Sequence, residues 1–218
     1  MKKIIFCLSA ALLIIISMSC KKSDDESTNL EGDQSPMGQV GTTISSSSIA
    51  IAGVSNFNGT VVALNNGVSS YNGSAVVTNA VIKNMLANVP QLTIKGDTVF
   101  AKDIQARSTT EGIEVFSGLR PGILVVYGAG AGESWPIEGS SDKRTVISKS
   151  TDDDYPYGFM FIKVSQIDEP VTGALKSTTG LSKITYWANH RFGLVGVQFE
   201  FSDGSTTKFP LYTSTENK

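Results

Sequence analysis

Apolar and polar residues alternate most regularly near the end of the chain. In 183–188, 194–201 and 206–212 the large apolar residues fall two apart: Ile184, Tyr186 and Ala188, then Val195, Val197, Phe199 and Phe201, then Phe209 and Leu211. A period of two marks a strand with one buried face, so the pattern predicts three successive antiparallel strands. Keeping the apolar side chains on one face sets their register. Tyr186 then falls opposite Val197, with Ala188 across from Val195, Trp187 across from Gly196, Thr185 across from Gln198 and Lys183 across from Glu200. The connection 190–193 ends on Gly193, which supplies the unusual φ. A two-residue turn at Asp203-Gly204 would pair Phe199 with Lys208 and mix the faces. A three-residue loop, 202–204, with Gly204 in the left-handed bulge position, pairs Val197 with Phe209 and Val195 with Leu211. Pro210 has no N–H for a ladder, so the last strand is expected at a sheet edge.

Upstream the pattern is more broken. Short apolar runs at 49–52, 60–64 and 74–77 are separated by Asn58-Gly59, Asn66-Gly67 and Asn72-Gly73, dipeptides that suit tight hairpin turns. Residues 78–89 read as a helix, capped by Thr78 or Asn79 and stopped by Pro90, with Val81, Ile82, Met85, Leu86 and Val89 on one face against a sheet. Two extended runs flank Lys95-Gly96-Asp97 within 92–107, and 109–116 suits a turn or two of helix closed by Gly118. Residues 123–127 suit a buried strand, and 144–148 and 158–164 two more, joined through a loop at 151–157. These elements predict a mainly β chain, a single antiparallel β-sandwich-like domain with one or two short helices. The alternative is an α+β arrangement in which the 78–89 helix covers one sheet.

Composition narrows the function classes. Charged residues are only 17% of the 218 while glycine supplies 21, a mixture that suits short strands and many turns. At the N-terminus Lys2 and Lys3 precede an apolar run, 4–16, and then Ser17-Met18-Ser19-Cys20. That is the form of a secretory signal peptide, and the run is too short for a bilayer span of roughly 20 residues. Cys20 at the cut site resembles a bacterial lipoprotein signal, which implies that this cysteine is acylated and anchors the protein to a membrane. The following Lys21-Lys22-Ser23-Asp24-Asp25-Glu26 resembles the acidic tether of Bacteroidota lipoproteins, which implies the outer membrane and its cell-surface face. The organisation expected is a signal peptide at 1–19, a lipid-anchored flexible linker at 20–45, one β-rich domain at 46–213 and a tail at 214–218. Cleavage removes two lysines, so 18 basic and 20 acidic residues become 16 and 20, a net charge of −4. Such a chain has no electrostatic reason to hold nucleic acid. Cys20 is the only cysteine left, so no intramolecular disulfide is expected.

Little else carries chemistry. Gly128-Ala129-Gly130-Ala131-Gly132 follows a strand, but Glu133 stands where a dinucleotide fingerprint needs its third glycine, and no helix opens there. His190 is the only histidine, so a Ser-His-Asp site would have to be built on a hairpin loop, and His/Cys zinc sites are excluded by count. The carboxylates Glu133, Asp152, Asp153, Asp154, Asp168 and Glu169 show no spacing that brings two together, and 152–154 lacks the spaced ligands of a calcium loop. No catalytic residue, metal ligand or cofactor is assigned. The function expected is a non-catalytic binding module, for glycan or another extracellular ligand, using Trp135, Tyr155, Tyr157 and Trp187. The alternative is an accessory envelope lipoprotein that binds another protein. Trp187 also has a structural explanation, since a ring laid across Gly196 covers backbone that the glycine leaves bare.

Overall fold

The computed structural model describes residues 30–46, 51, 53–87, 89–118 and 120–215. The signal peptide, Cys20 and the acidic tether at 24–26 lie outside the described residues. The chain begins with a short 3₁₀ turn, Pro36–Gly38, followed by β1 (Thr43–Ser45), β2 (Val54–Asn65) and β3 (Val68–Val77). Helix α1 (Ala80–Leu86) leads to the β4 (Leu92–Lys95) and β5 (Thr98–Ser108) hairpin, then β6 (Gly112–Val115) and β7 (Gly122–Val126). Next come β8 (Ser134–Pro136), β9 (Lys143–Lys149), β10 (Tyr155–Tyr157), β11 (Met160–Ile162) and β12 (Ser165–Pro170). Helix α2 (Gly173–Thr179) precedes β13 (Leu181–Asn189), β14 (Gly193–Phe201), β15 (Thr206–Pro210) and β16 (Tyr212–Ser214).

The strands form two antiparallel sheets, consistent with a sandwich-like β domain. One is curled and eight-stranded, in the order β16-β1-β2-β3-β5-β6-β7 with β4 added on β5; the other is six-stranded, β15-β14-β13-β12-β9-β8. The pair β10-β11 stands apart as a separate hairpin.

The C-terminal strands follow the alternation closely. Tyr186 pairs with Val197, Trp187 with Gly196, Thr185 with Gln198, Lys183 with Glu200 and Val197 with Phe209. Gly204 has φ +82°, as the three-residue loop requires, and β15 is an edge strand. One pairing differs: Ala188 sits opposite Leu194, because Val195 is the extra residue of a bulge between Trp187 and Ala188. The bulge shortens the connection to 190–192 and leaves Gly193 at φ +70°. Leu211 falls beyond β15, yet its N–H still donates to the Val195 carbonyl at 3.0 Å.

Other expectations are corrected. Of the three Asn-Gly pairs only Asn66-Gly67 is a turn, with both residues at positive φ. Asn58-Gly59 and Asn72-Gly73 lie inside β2 and β3, where the glycines have ordinary φ and face each other across the ladder. Residues 109–116 form β6 rather than a helix, since Ala106, Arg107 and Ser108 of β5 offer partners to Val115, Glu114 and Ile113. Residues 155–157, expected in a loop, pair with β11; Pro156 is tolerated because the hairpin has only two strands. The helix α1 is shorter than 78–89: Asn79 caps it by accepting from the Val81 and Ile82 N–H groups, and Val81 is exposed rather than core. Helix α2 gave little signal, because Gly173 and a Ser-Thr-Thr run are poor helix formers; Gly180 ends it in the left-handed conformation. The folded part also starts earlier than 46. Leu30, Ser35 and Thr42 are buried, and the Ser35 N–H donates to the Ser108 carbonyl at 2.9 Å, so 30–45 lies on the sheet instead of forming linker.

Candidate functional site

One continuous apolar core runs between the two sheets. In it Ile113 and Val125 of β6 and β7 meet Val146, Ile167, Ile184 and Tyr186 of the smaller sheet. Where β2, β3 and β5 face β14 and β15, the same cluster continues through Val77, Val99, Val197 and Phe199, which also line a groove. The groove is a cavity of about 470 Å³, within the range of ligand sites.

The reason is a row of missing side chains. Cross-strand neighbours run Ile44, Gly59, Gly73, Ala101, Leu92 through β1, β2, β3, β5 and β4, and all five line the cavity. Two glycines and an alanine thus form a trough floor between aliphatic walls. The two glycines differ in kind. A Cβ on Gly73 would collide with the Asn58 carbonyl, so the close approach of β2 and β3 requires glycine there. A Cβ on Gly59 would meet nothing nearer than 3.9 Å, and its φ is ordinary. That glycine leaves space that the backbone does not need.

Opposite the trough stand Leu194, Val197, Phe199 and Phe209 of the smaller sheet. Ile82, Met85 and Leu86 of α1 border the cavity where β3 ends, and Met37 borders it at the other end of β3. Tyr71 lines the wall there; its hydroxyl donates to the Met37 carbonyl at 3.4 Å, and burial raises its pKa, so it stays neutral. Among the lining residues there is no Asp, Glu, Lys, Arg or His. The space offers hydrocarbon contact and no charge.

The four aromatics expected to bind ligand are divided. Trp135 lies on β8, packed against the main core, and its indole N–H donates to the Ile123 carbonyl at 2.7 Å. Tyr155, Tyr157 and Trp187 come together, but as a packed cluster under the β10-β11 hairpin. Tyr155 and Tyr157 are buried, Tyr155 stacks on Trp187 with centroids 6.1 Å apart, and Tyr157 packs on Phe192 and Tyr212. Burial pushes the Tyr155 phenol up to about 12, and the Lys208 ammonium, 3.7 Å from the Trp187 ring centroid, is lowered by desolvation. Trp187 does lie over Gly196, where an added Cβ would stand 3.4 Å from the indole and collide with the Tyr155 hydroxyl. Trp187→Ala is therefore expected to lower stability by about 1–3 kcal/mol through lost packing. Thermal unfolding checks this, and a variant that melts with the wild type removes the structural assignment.

The buried polar residues form an ion network that links the two sheets. Arg144 and Glu169 are both fully buried, and Arg144 Nε stands 2.6 Å from Glu169 Oε2. Arg120 Nε binds the other Glu169 oxygen while its Nη2 reaches Asp142 at 3.0 Å. The Tyr186 hydroxyl donates to Glu169 at 3.1 Å, and Arg144 donates to the Ile123 and Arg120 carbonyls, both at 2.7 Å. Glu169 thus does meet Asp142, which the spacing did not show, but through a shared arginine. Of the other carboxylates considered, Asp168 pairs with Lys183 at 3.4 Å, and Asp152, Asp153 and Asp154 are exposed. Glu133 accepts from the Gly130 N–H within the glycine-rich loop, which runs into the short strand β8 and not into a helix. His190 is exposed in its hairpin loop. Among the described residues no group of three or more His, Cys, Asp or Glu is placed to hold a metal ion, and no helix is long and apolar enough to cross a membrane.

No protein-family model matches this chain, and no curated protein matches it. Among solved structures it is similar to a domain from Vibrio parahaemolyticus described as belonging to an outer membrane lipoprotein-sorting protein. The identity is 10%, over 80% of this chain and 83% of that one, with a TM-score of 0.28. At that score nothing of that domain's role carries over to this chain.

Proposed function

We propose that this protein is a non-catalytic binding module of the cell envelope whose ligand is an apolar chain held between the two sheets. One observation carries the reading: a cavity of about 470 Å³ with no Asp, Glu, Lys, Arg or His in its lining, floored by Gly59, Gly73 and Ala101. An apolar groove of this size exposes hydrocarbon surface to water, which a bound apolar chain would cover. Its retention makes sense where a ligand completes the core. A hydrocarbon chain suits it and a glycan does not, because a sugar's hydroxyls would find few partners there. The aromatics that suggested sugar stacking support the fold instead, two of them being buried. The test is to strip the purified protein of bound lipid and titrate it with a fluorescent long-chain fatty acid. Saturable binding near one per chain, displaced by unlabelled fatty acid, is expected. No saturable binding would remove the reading.

The envelope assignment rests on the N-terminal signal and Cys20, so Cys20→Ala is expected to release the protein from the membrane fraction and abolish fatty-acid labelling. Unchanged partitioning of that variant would refute the anchor. Surface display is read from Asp24-Asp25-Glu26, and protease treatment of intact cells should then remove the domain.

A further inference from the structure

We propose that the tip of the β10-β11 hairpin is a finger that inserts into a lipid bilayer beside the end of the cavity. Gly158, at φ +61°, and Phe159 make the two-residue turn of this hairpin, with glycine at the first central position as a type II′ turn requires. The turn holds Phe159 away from the protein: it is 98% exposed, with Phe161 at 63% and Met160 at 38%. Three consecutive large apolar side chains at a turn stand out on this surface, where the other exposed aromatics among the described residues, Phe100, Phe116 and Tyr212, are single and no more than 43% exposed.

The base of the finger is rigid while its tip is bare. Tyr155, Tyr157 and Ile162 are buried, and the Tyr157 hydroxyl accepts from the Thr213 N–H at 3.0 Å. Fixing the stem lowers the ordering cost of inserting the tip. The stem also locates the finger. Tyr157 packs on Phe192 and is bonded to Thr213; Thr213 lines the cavity, as does Gly193, where an added Cβ would stand 3.5 Å from Met37.

Two observations choose a bilayer over a protein as the occupant. Gly158, Phe159, Met160 and Phe161 carry no side-chain donor or acceptor, whereas protein interfaces carry about one hydrogen bond per 100–200 Å². A convex apolar tip needs no matching pocket in a membrane, where aromatic rings settle readily at the interface. The second is reach: from Cys20 to Leu30 the chain spans at most about 35 Å, so an acylated Cys20 keeps the domain at a membrane. This inference therefore rests on the anchored, apolar-ligand reading above. The acidic run Asp152, Asp153 and Asp154 at the stem disfavours an anionic surface, so the matching bilayer is zwitterionic.

The test uses the mature chain with Cys20→Ser, which carries no acyl group, floated with phosphatidylcholine vesicles. The unaltered finger should carry the chain into the vesicle fraction, and Phe159→Ser with Phe161→Ser should reduce that partitioning at least tenfold. The thermal midpoint of the double variant should fall by no more than a few degrees, since Phe159 is 98% and Phe161 63% exposed. Failure of the starting chain to float, equal flotation of the double variant, or flotation only with anionic lipid would each overturn the inference; the first two leave a protein partner as the occupant. The finger and the cavity fail separately. The double variant should still take up the fatty acid in solution, and a cavity-filled variant, Gly59→Leu, should still float.

Discussion

Glu169→Gln is expected to cost about 3–5 kcal/mol of stability, because it leaves two arginines facing a buried site without their shared counter-charge. Glu169 is fully buried, takes one guanidinium on each oxygen, and also accepts from Tyr186. Arg144 is itself buried and cannot turn to water. Its other donors bind the Ile123 and Arg120 carbonyls, tying β9 of the smaller sheet to the edge of the larger one. Losing the carboxylate charge thus disturbs the junction where the two sheets close. For a domain of this size the thermal midpoint should fall by roughly 10 °C, measured by calorimetry or circular dichroism. The exposed pair Lys183–Glu200, 3.0 Å apart with both side chains about a third exposed, is the control. Lys183→Ala should change stability by no more than about 1 kcal/mol. If Glu169→Gln melts within a degree or two of the wild type, the network is not what locks the sheets together.

Filling the cavity from its floor should abolish fatty-acid binding without harming the fold. Gly59→Leu is suited to this because a Cβ there meets nothing within 3.9 Å, the φ is ordinary, and the residue lines the cavity. The new side chain buries apolar surface in empty space, and loss of a glycine reduces the entropy of the unfolded chain, which together favour unchanged or higher stability. Affinity for the fluorescent fatty acid should drop at least tenfold, as the side chain occupies the trough. Gly73→Ala provides the contrast. It places a methyl group against the Asn58 carbonyl and should destabilise the protein by about 1–3 kcal/mol through strain. Unchanged binding by a stably folded Gly59→Leu protein would show that the ligand, if there is one, does not lie between the sheets.

Alternation along the chain is enough to establish the β class and most of the C-terminal register. Tyr186 against Val197 and Val197 against Phe209 follow from alternation, because keeping one face apolar is a local requirement that each strand states for itself. The three-residue loop at Gly204 follows from the same parity. The bulge at Val195 escaped it, since the extra residue puts Val195 on the Trp187 side, in the cluster under the 155–162 hairpin, and leaves Leu194 with Ala188 on the main core. The tertiary structure decided what depends on which distant residues meet. Asn58-Gly59 and Asn72-Gly73 carry the composition of turns, yet each lies mid-strand because the other, and then Ala101, pairs with it. The trough exists only as that row, and no single segment contains more than one member of it. Glu169, Arg144, Arg120 and Asp142 likewise come from separate strands and loops, and their charges are tolerated only because all four arrive together. Alternation is written along the chain, whereas a cavity and a buried ion network are properties of the space between sheets, which pairing alone creates.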